Sequence, residues 1–181
     1  MKENKLFVIT GGPGVGKTTL LKALENKGFI AVPEDARQII KEQMLGDGEG
    51  LPWKNKAYYS VLMLKASLET YHRIVRDEHS EIVFFDRGIL DTVCYMNMEN
   101  IPIAEELITL VKSCPYHSKV FMLPPWEDIY ETDTERKQTW EEAIYTFEKM
   151  KETYLEYGYE IIEVPKGNVE ERCDFVLRNI G

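Results

Sequence analysis

Three cysteines in 181 residues, Cys94, Cys114 and Cys173, are odd in number and far apart, with no C-x-x-C pair. That excludes a disulfide frame and a thiolate zinc site, and it fits reduced thiols in a cytoplasmic protein. Basic surplus is also lacking: 22 Lys and Arg stand against 31 Asp and Glu, a formal net charge of −9. A broad nucleic-acid-binding face needs cations to neutralise phosphates, so no nucleic-acid partner is expected, although a local basic pocket remains compatible with the balance. No apolar run approaches the length of a membrane span, and no secretory signal precedes the first apolar run, so no membrane association is expected. Internal repeats and low-complexity tracts are absent. The three histidines, His72, His79 and His117, show no mutual spacing of a metal site. What remains is 44% hydrophobic and 29% charged, an ordinary globular make-up. The simplest organisation is one domain over residues 1–181 with a substantial core.

The most informative stretch is LFVITGGPGVGKTTLLKAL, residues 6–24. Leu6-Phe7-Val8-Ile9 has the length of a buried parallel strand. Gly11 to Thr18 fits the phosphate-loop pattern G-x-x-x-x-G-K-[ST] at every fixed position. A helix over Thr18–Lys27, ended by Gly28, completes the strand–loop–helix order that the motif requires. Glycines let the backbone turn tightly and present successive N–H groups to an anion, and the helix start adds its own N–H groups and dipole. Gly12, Pro13, Gly14, Val15, Gly16, Lys17, Thr18 and Thr19 are therefore the expected nucleotide contacts. Lys17 is placed to reach the β- and γ-phosphates, and the Thr18 hydroxyl to ligate Mg²⁺. Thr19 would face the α-phosphate.

Phe29–Val32 reads as a second strand, and Pro33 closes it just before Glu34-Asp35. Ligands of open α/β sheets bind beyond the carboxyl ends of strands, which singles out that acidic pair. A helix over 35–45 follows, with Asp35 as its N-cap, then a glycine-rich loop over 46–52. A long helix over 54–78 carries an apolar stripe of Tyr58, Val61, Leu62, Leu68, Tyr71 and Val75, read as core. Ile82–Phe85 is the third strand, with Asp86-Arg87-Gly88 at its end. Four apolar residues and an aspartate form the Walker B arrangement, which puts Asp86 near Mg²⁺; the alternative is a cap on the helix starting near Gly88. Further elements are a helix over 103–112, a strand over 119–123, a helix over 139–157, a strand over 160–164 and a helix over 169–179. Residues 125–138, polar and poorly periodic, read as a lid. Alternating strands and helices call for a parallel sheet covered on both faces.

The guanine-reading N-K-x-D motif is missing, which argues against a small GTPase, while Asp-Arg after the third strand resembles small-molecule and nucleotide kinases. That analogy implies strand order 2-3-1-4-5. The narrower resemblance is to small AAA-like ATPases grouped with the ribosylnicotinamide kinase domain of a bacterial NAD-biosynthesis regulator. It is carried by GGPGVGKTTLL, by PEDAR at 33–37, by FFDRGILDT at 84–92 and by LPPWEDIYETDTERKQTWEEA at 123–143. Those kinases have Asp-Thr-Asp where this chain has Asp86-Arg87-Gly88, so nicotinamide riboside does not carry over as the acceptor.

The resemblance implies a phosphotransferase using ATP, with GTP as the other candidate donor, and Mg²⁺ held by Thr18 and Asp86. Glu34 resembles the carboxylate that orients the acceptor hydroxyl in deoxynucleoside kinases; Asp35 shares that position, and an ion pair to Arg37 is the alternative. Arg87 would bind the acceptor or pair with Asp91. Arg136, with Lys137, would bring charge to the γ-phosphate or pair with Glu135 or Asp133. Asp35, Arg37, Arg87, Asp91 and Trp126 are the candidate acceptor contacts, Trp126 by stacking. Trp53 is expected to pack beside its proline. The leading expectation is a kinase acting on a small hydroxyl-bearing, nucleoside-like metabolite. The competing one is a nucleotide-dependent regulatory ATPase with no acceptor.

Overall fold

The computed structural model describes residues 4–77, 81–127 and 139–181. Arg136, Lys137, His79 and most of the lid expected over 125–138 lie outside the described residues. The chain divides into two units, one drawn from Met1–Val32, Glu81–Arg87 and Tyr116–Gly181, the other from Pro33–Ser80 and Gly88–Pro115.

The first unit is built on five strands: β1 (Leu6–Gly11), β2 (Ile30–Val32), β3 (Val83–Asp86), β4 (Lys119–Leu123) and β5 (Glu160–Glu163). Every pairing is parallel, and the order is β2-β3-β1-β4-β5, as the kinase analogy implies. Both faces of the central strands are covered. Phe7, Ile9, Phe84 and Phe121 join Leu20 and Leu24 of helix α1 (Lys17–Asn26) and Cys173 and Val176 of helix α7 (Val169–Asn179) in one cluster. The alternate residues Val8, Phe85, Val120 and Met122 are equally buried on the opposite face. Two-sided burial is why these strands read as continuous apolar runs instead of alternating ones. Helix α6 (Trp140–Glu156) starts in the capping box that Thr139 and Glu142 announce: the Thr139 hydroxyl accepts from the Glu142 amide at 3.2 Å, and the Glu142 carboxylate accepts from the Thr139 amide at 2.7 Å. Asn168 and Glu171 repeat the device at α7.

The second unit is helical: α2 (Ala36–Leu45), α3 (Lys56–Arg76), α4 (Ile89–Met98) and α5 (Glu105–Lys112). Asn55 caps α3, accepting from the Tyr58 amide at 2.9 Å. The buried face of α3 departs from the expected stripe except at Tyr71, which is buried as expected. It consists of Tyr59, Ser60, Leu64, Tyr71 and Ile74, whereas Tyr58, Val61 and Val75 are 44–50% exposed. Apolar residues stand on more than one side of this helix, so periodicity alone leaves its rotation open. Packing against α4 decides it, with Tyr59 meeting Tyr95 edge-to-face at 5.9 Å. Ser60 is tolerated inside because its hydroxyl donates to the Ala57 carbonyl at 2.8 Å.

A further expectation is corrected at Asp35. Asp35 holds the N-cap position of α2, but its own backbone is already helical (φ −76, ψ −25) and its side chain caps nothing. A cap needs an extended backbone to bring the carboxylate back onto the first-turn amides. Instead Asp35 accepts from the Thr70 hydroxyl at 3.2 Å. Trp53 is 64% exposed and takes no part in the core. Cys94, Cys114 and Cys173 are free and buried. Among the described residues no helix is long and apolar enough to cross a membrane.

Candidate functional site

Strand β1 delivers the chain to Gly11 at φ 145, where a side chain would meet the Leu123 carbonyl oxygen at 2.6 Å. Only glycine allows this turn so close to β4. Val15, 4% exposed, anchors the middle of the loop in the core. The loop closes at Gly16, in the left-handed region (φ 85, ψ 23), which serves as the backbone N-cap of α1. Thr18 and Thr19 stand exposed in the first turn of that helix. Lys17 is 7% exposed, and its Nζ donates to the Gly11 carbonyl at 3.0 Å and the Gly12 carbonyl at 2.8 Å. A buried ammonium thus spans the mouth of the loop. Amides of a left-handed turn, a helix N-terminus and a fixed cation make an anion cradle.

Asp86 ends β3, aligned with Ile9 of the adjacent β1 and hence close to the start of the loop. The next residue, Arg87, adopts φ 70, and its amide donates to the Ile9 carbonyl at 2.9 Å. A non-glycine residue held left-handed is a strained position of the kind that gathers at functional sites. A hydroxyl (Thr18) and a carboxylate (Asp86) are hard oxygen donors of the type Mg²⁺ takes. Among the described residues no group of three His, Cys, Asp or Glu could cage a metal. A cation at this site would therefore use few protein oxygens and fill its coordination with water and phosphate, the usual habit of Mg²⁺.

The acceptor candidates fall mostly in the helical unit. Glu34 and Asp35 follow β2 within four residues and are half-buried, while Arg37 is exposed. Burial raises the Asp35 carboxyl above the usual range; the Thr70 hydroxyl and Arg73 oppose that rise, and Glu34 adds to it. The Asp91 carboxylate accepts from the Gly88 amide at 2.8 Å and so holds the start of α4. The capping role weighed for Asp86 belongs to Asp91. Among the histidines, His117 is buried, stacked on Phe7 at 4.1 Å, and accepts from the Lys119 amide at 3.0 Å.

One residue beside the loop is absent from the sequence reading. Arg172 of α7 is 6% exposed and lies against the loop backbone, donating from Nη1 to the Val15 carbonyl at 3.2 Å. Its guanidinium lies over the Trp126 ring, 5.8 Å from the centroid. A signal existed: Arg172 occupies the apolar stripe of α7 with Cys173 and Val176, where an arginine is out of place on hydrophobicity alone.

Residues 6–172 match the family model described as AAA domain. A curated relative, described as a nucleotide-binding protein from Syntrophotalea carbinolica, is 34% identical over 92 residues, which cover 48% of this chain. The match takes in 32% of that relative, so it extends over about a third of its length. Among solved structures, NadR protein in complex with NR superposes with a TM-score of 0.73 at 18% identity, covering 97% of this chain and 51% of that one. Deoxyadenosine kinase from M. mycoides, with dCMP and dCDP bound, gives 0.62 at 17% identity, covering 97% and 98%. At these identities the likeness is one of fold.

Proposed function

Since the chain belongs to the AAA domain family, we propose that it binds ATP at the Gly11–Thr18 loop and transfers the γ-phosphoryl group to a hydroxyl of a small, nucleoside-like metabolite. The observation that carries this reading is Lys17 at the start of α1, which follows β1, and Asp86 at the end of the adjacent parallel β3, within a sheet of order β2-β3-β1-β4-β5. The kinase fold of deoxyadenosine kinase and the NR-bound NadR structure support a nucleoside-like acceptor.

In this reading the backbone N–H groups of Gly14 to Thr19 hold the phosphate tail, with Gly12 and Pro13 lining it, and Lys17 moves from its loop carbonyls to the β- and γ-phosphates. Thr18 and Asp86 are the oxygens that would hold Mg²⁺, which when bound neutralises charge on the phosphates. Arg87, and Arg136 beyond the described residues, add cations where charge develops. Phosphoryl transfer depends on positioning and electrostatics more than on a strong base. Glu34 orients the acceptor hydroxyl and takes its proton as the oxygen bonds to the γ-phosphorus and the bond to the leaving ADP breaks. Asp35, Arg37, Asp91 and Trp126 are the remaining acceptor contacts. Residues 1–181 then form one nucleotide-binding domain.

The test is ADP or GDP release with Mg·ATP or Mg·GTP and a panel of nucleosides, vitamins and sugars. Stimulation by one compound class above slow background hydrolysis supports the kinase. Background hydrolysis that no compound stimulates overturns it and favours a regulatory ATPase, a reading consistent with the curated relative's description as a nucleotide-binding protein. Glu34→Gln should lower kcat by about 10²-fold or more, the scale of general-base catalysis, while ATP affinity stays near wild type. A parallel loss of ATP binding contradicts the role given to Glu34.

A further inference from the structure

Lysine and arginine side chains seldom go under a protein surface without a carboxylate beside them, because an unpaired buried charge is costly. Among the described residues, two charged side chains are less than a tenth exposed, Lys17 and Arg172, and both lie against the same loop. Arg172 reaches it from α7, at the far end of the chain. Among the described residues no carboxylate forms an ion pair with Arg172, and its Nε is buried with no hydrogen-bond partner. Its satisfied contacts are the Val15 carbonyl and the face of Trp126.

The contact with Val15 has a direct consequence for the loop. In a planar trans peptide the C=O and the next residue's N–H point to opposite sides. A guanidinium holding the Val15 carbonyl on the outer side of the loop therefore fixes the Gly16 N–H toward the other. The fit is close: a side chain at Gly16 would come within 2.7 Å of Arg172 Nη1 and 3.1 Å of Nη2. The left-handed backbone of the glycine before the lysine favours glycine, and its lack of a side chain lets this guanidinium seat close against it.

We propose that Arg172 is a positioning residue of the phosphate loop, locking the Val15–Gly16 peptide and giving the loop a second buried cation whose counter-anion is the phosphate tail of the bound nucleotide. It rests on the reading that the loop binds a nucleoside triphosphate. Burial lowers the guanidinium pKa from its ordinary value, the direction expected of a cation with no anion beside it.

Arg172→Met, Arg172→Gln and Arg172→Lys separate positioning from packing. Thermal melting of the nucleotide-free protein and calorimetric titration with Mg·ATP, Mg·ADP and AMP are measured for each. Removing an unpaired buried charge should leave the melting temperature of Arg172→Met unchanged or raised. Its affinity for Mg·ATP and Mg·ADP should fall by about tenfold or more, the scale of one hydrogen bond to a charged group, with a smaller loss for AMP. Arg172→Lys should recover part of that affinity. Equal Mg·ATP affinity in Arg172→Met and wild type overturns the proposal. So does a melting temperature lowered in all three variants with affinity retained, which assigns Arg172 to packing. Wild-type protein that binds none of the nucleotides, or Lys17→Ala that binds Mg·ATP like wild type, refutes the underlying assignment of the loop instead.

Discussion

Two neighbouring glycines of the phosphate loop should respond to alanine very differently, one with a large loss of stability and one with almost none. At Gly11 the backbone has φ 145, and an added Cβ would lie 2.6 Å from the Leu123 carbonyl oxygen and 3.2 Å from the Leu123 Cβ. The obstructing oxygen is backbone of a central strand, paired with Gly11 itself in the β1–β4 register, so it cannot swing aside. Holding alanine in this sparsely populated region costs about 1–3 kcal/mol. Prising β4 from β1 adds about 1–3 kcal/mol, the usual range for overpacking. Gly11→Ala should therefore lose about 2–6 kcal/mol from a total stability of about 5–15 kcal/mol. With a urea m-value of about 2 kcal/mol/M, the unfolding midpoint drops by about 1–3 M. Gly12 has no such φ and nothing within 4 Å of an added Cβ, so Gly12→Ala should stay within about 0.5 kcal/mol of wild type. Urea unfolding followed by tryptophan fluorescence gives both numbers. Equal midpoints for the two variants, or a lower one for Gly12→Ala, would refute the reasoning.

Asn168→Ala removes the side chain that accepts from the Glu171 amide at 2.9 Å, and should destabilise by about 1 kcal/mol in the same unfolding assay. Tyr154 is fully buried, and Tyr154→Ala should cost about 3–5 kcal/mol, read as a collapse of the midpoint. The Asp35 carboxyl is raised in the folded state, chiefly by burial. The folded protein therefore holds that proton more tightly than the unfolded chain. The contribution of Asp35 to stability is full below its unfolded pKa and is lost as pH rises through the folded one. Asp35→Asn should remove this loss, so its stability gains on wild type as pH rises from the acid limb toward neutrality. A pH-independent difference contradicts the assignment.

The phosphate loop, the five strands and the start of α6 at Thr139 were legible because each rests on local residue chemistry: glycines at fixed spacing, apolar runs, a hydroxyl followed three residues on by glutamate. Strand order came through the family likeness, since nothing local encodes which strands pair. What failed was tertiary. The face of α3 depended on α4, and Asp35 lost its cap to the helical backbone it already had and turned to Thr70, 35 residues on. Arg172 escaped for the same reason: its partner Val15 is 157 residues away. Its place in an apolar stripe showed that something must receive the charge, but only the packing of α7 beside α1 shows what. Glu34, Asp35 and Asp91 come from the helical unit, and their roles toward an acceptor stay with the proposed reading.

The central claim is that the Gly11–Thr18 loop grips a triphosphate through Lys17. Isothermal titration of the protein with Mg·ATP and Mg·GTP, alongside Lys17→Ala, tests it most directly. Saturable one-to-one binding that Lys17→Ala abolishes is the predicted result. Absence of heat with either nucleotide, or unchanged affinity in Lys17→Ala, would contradict it.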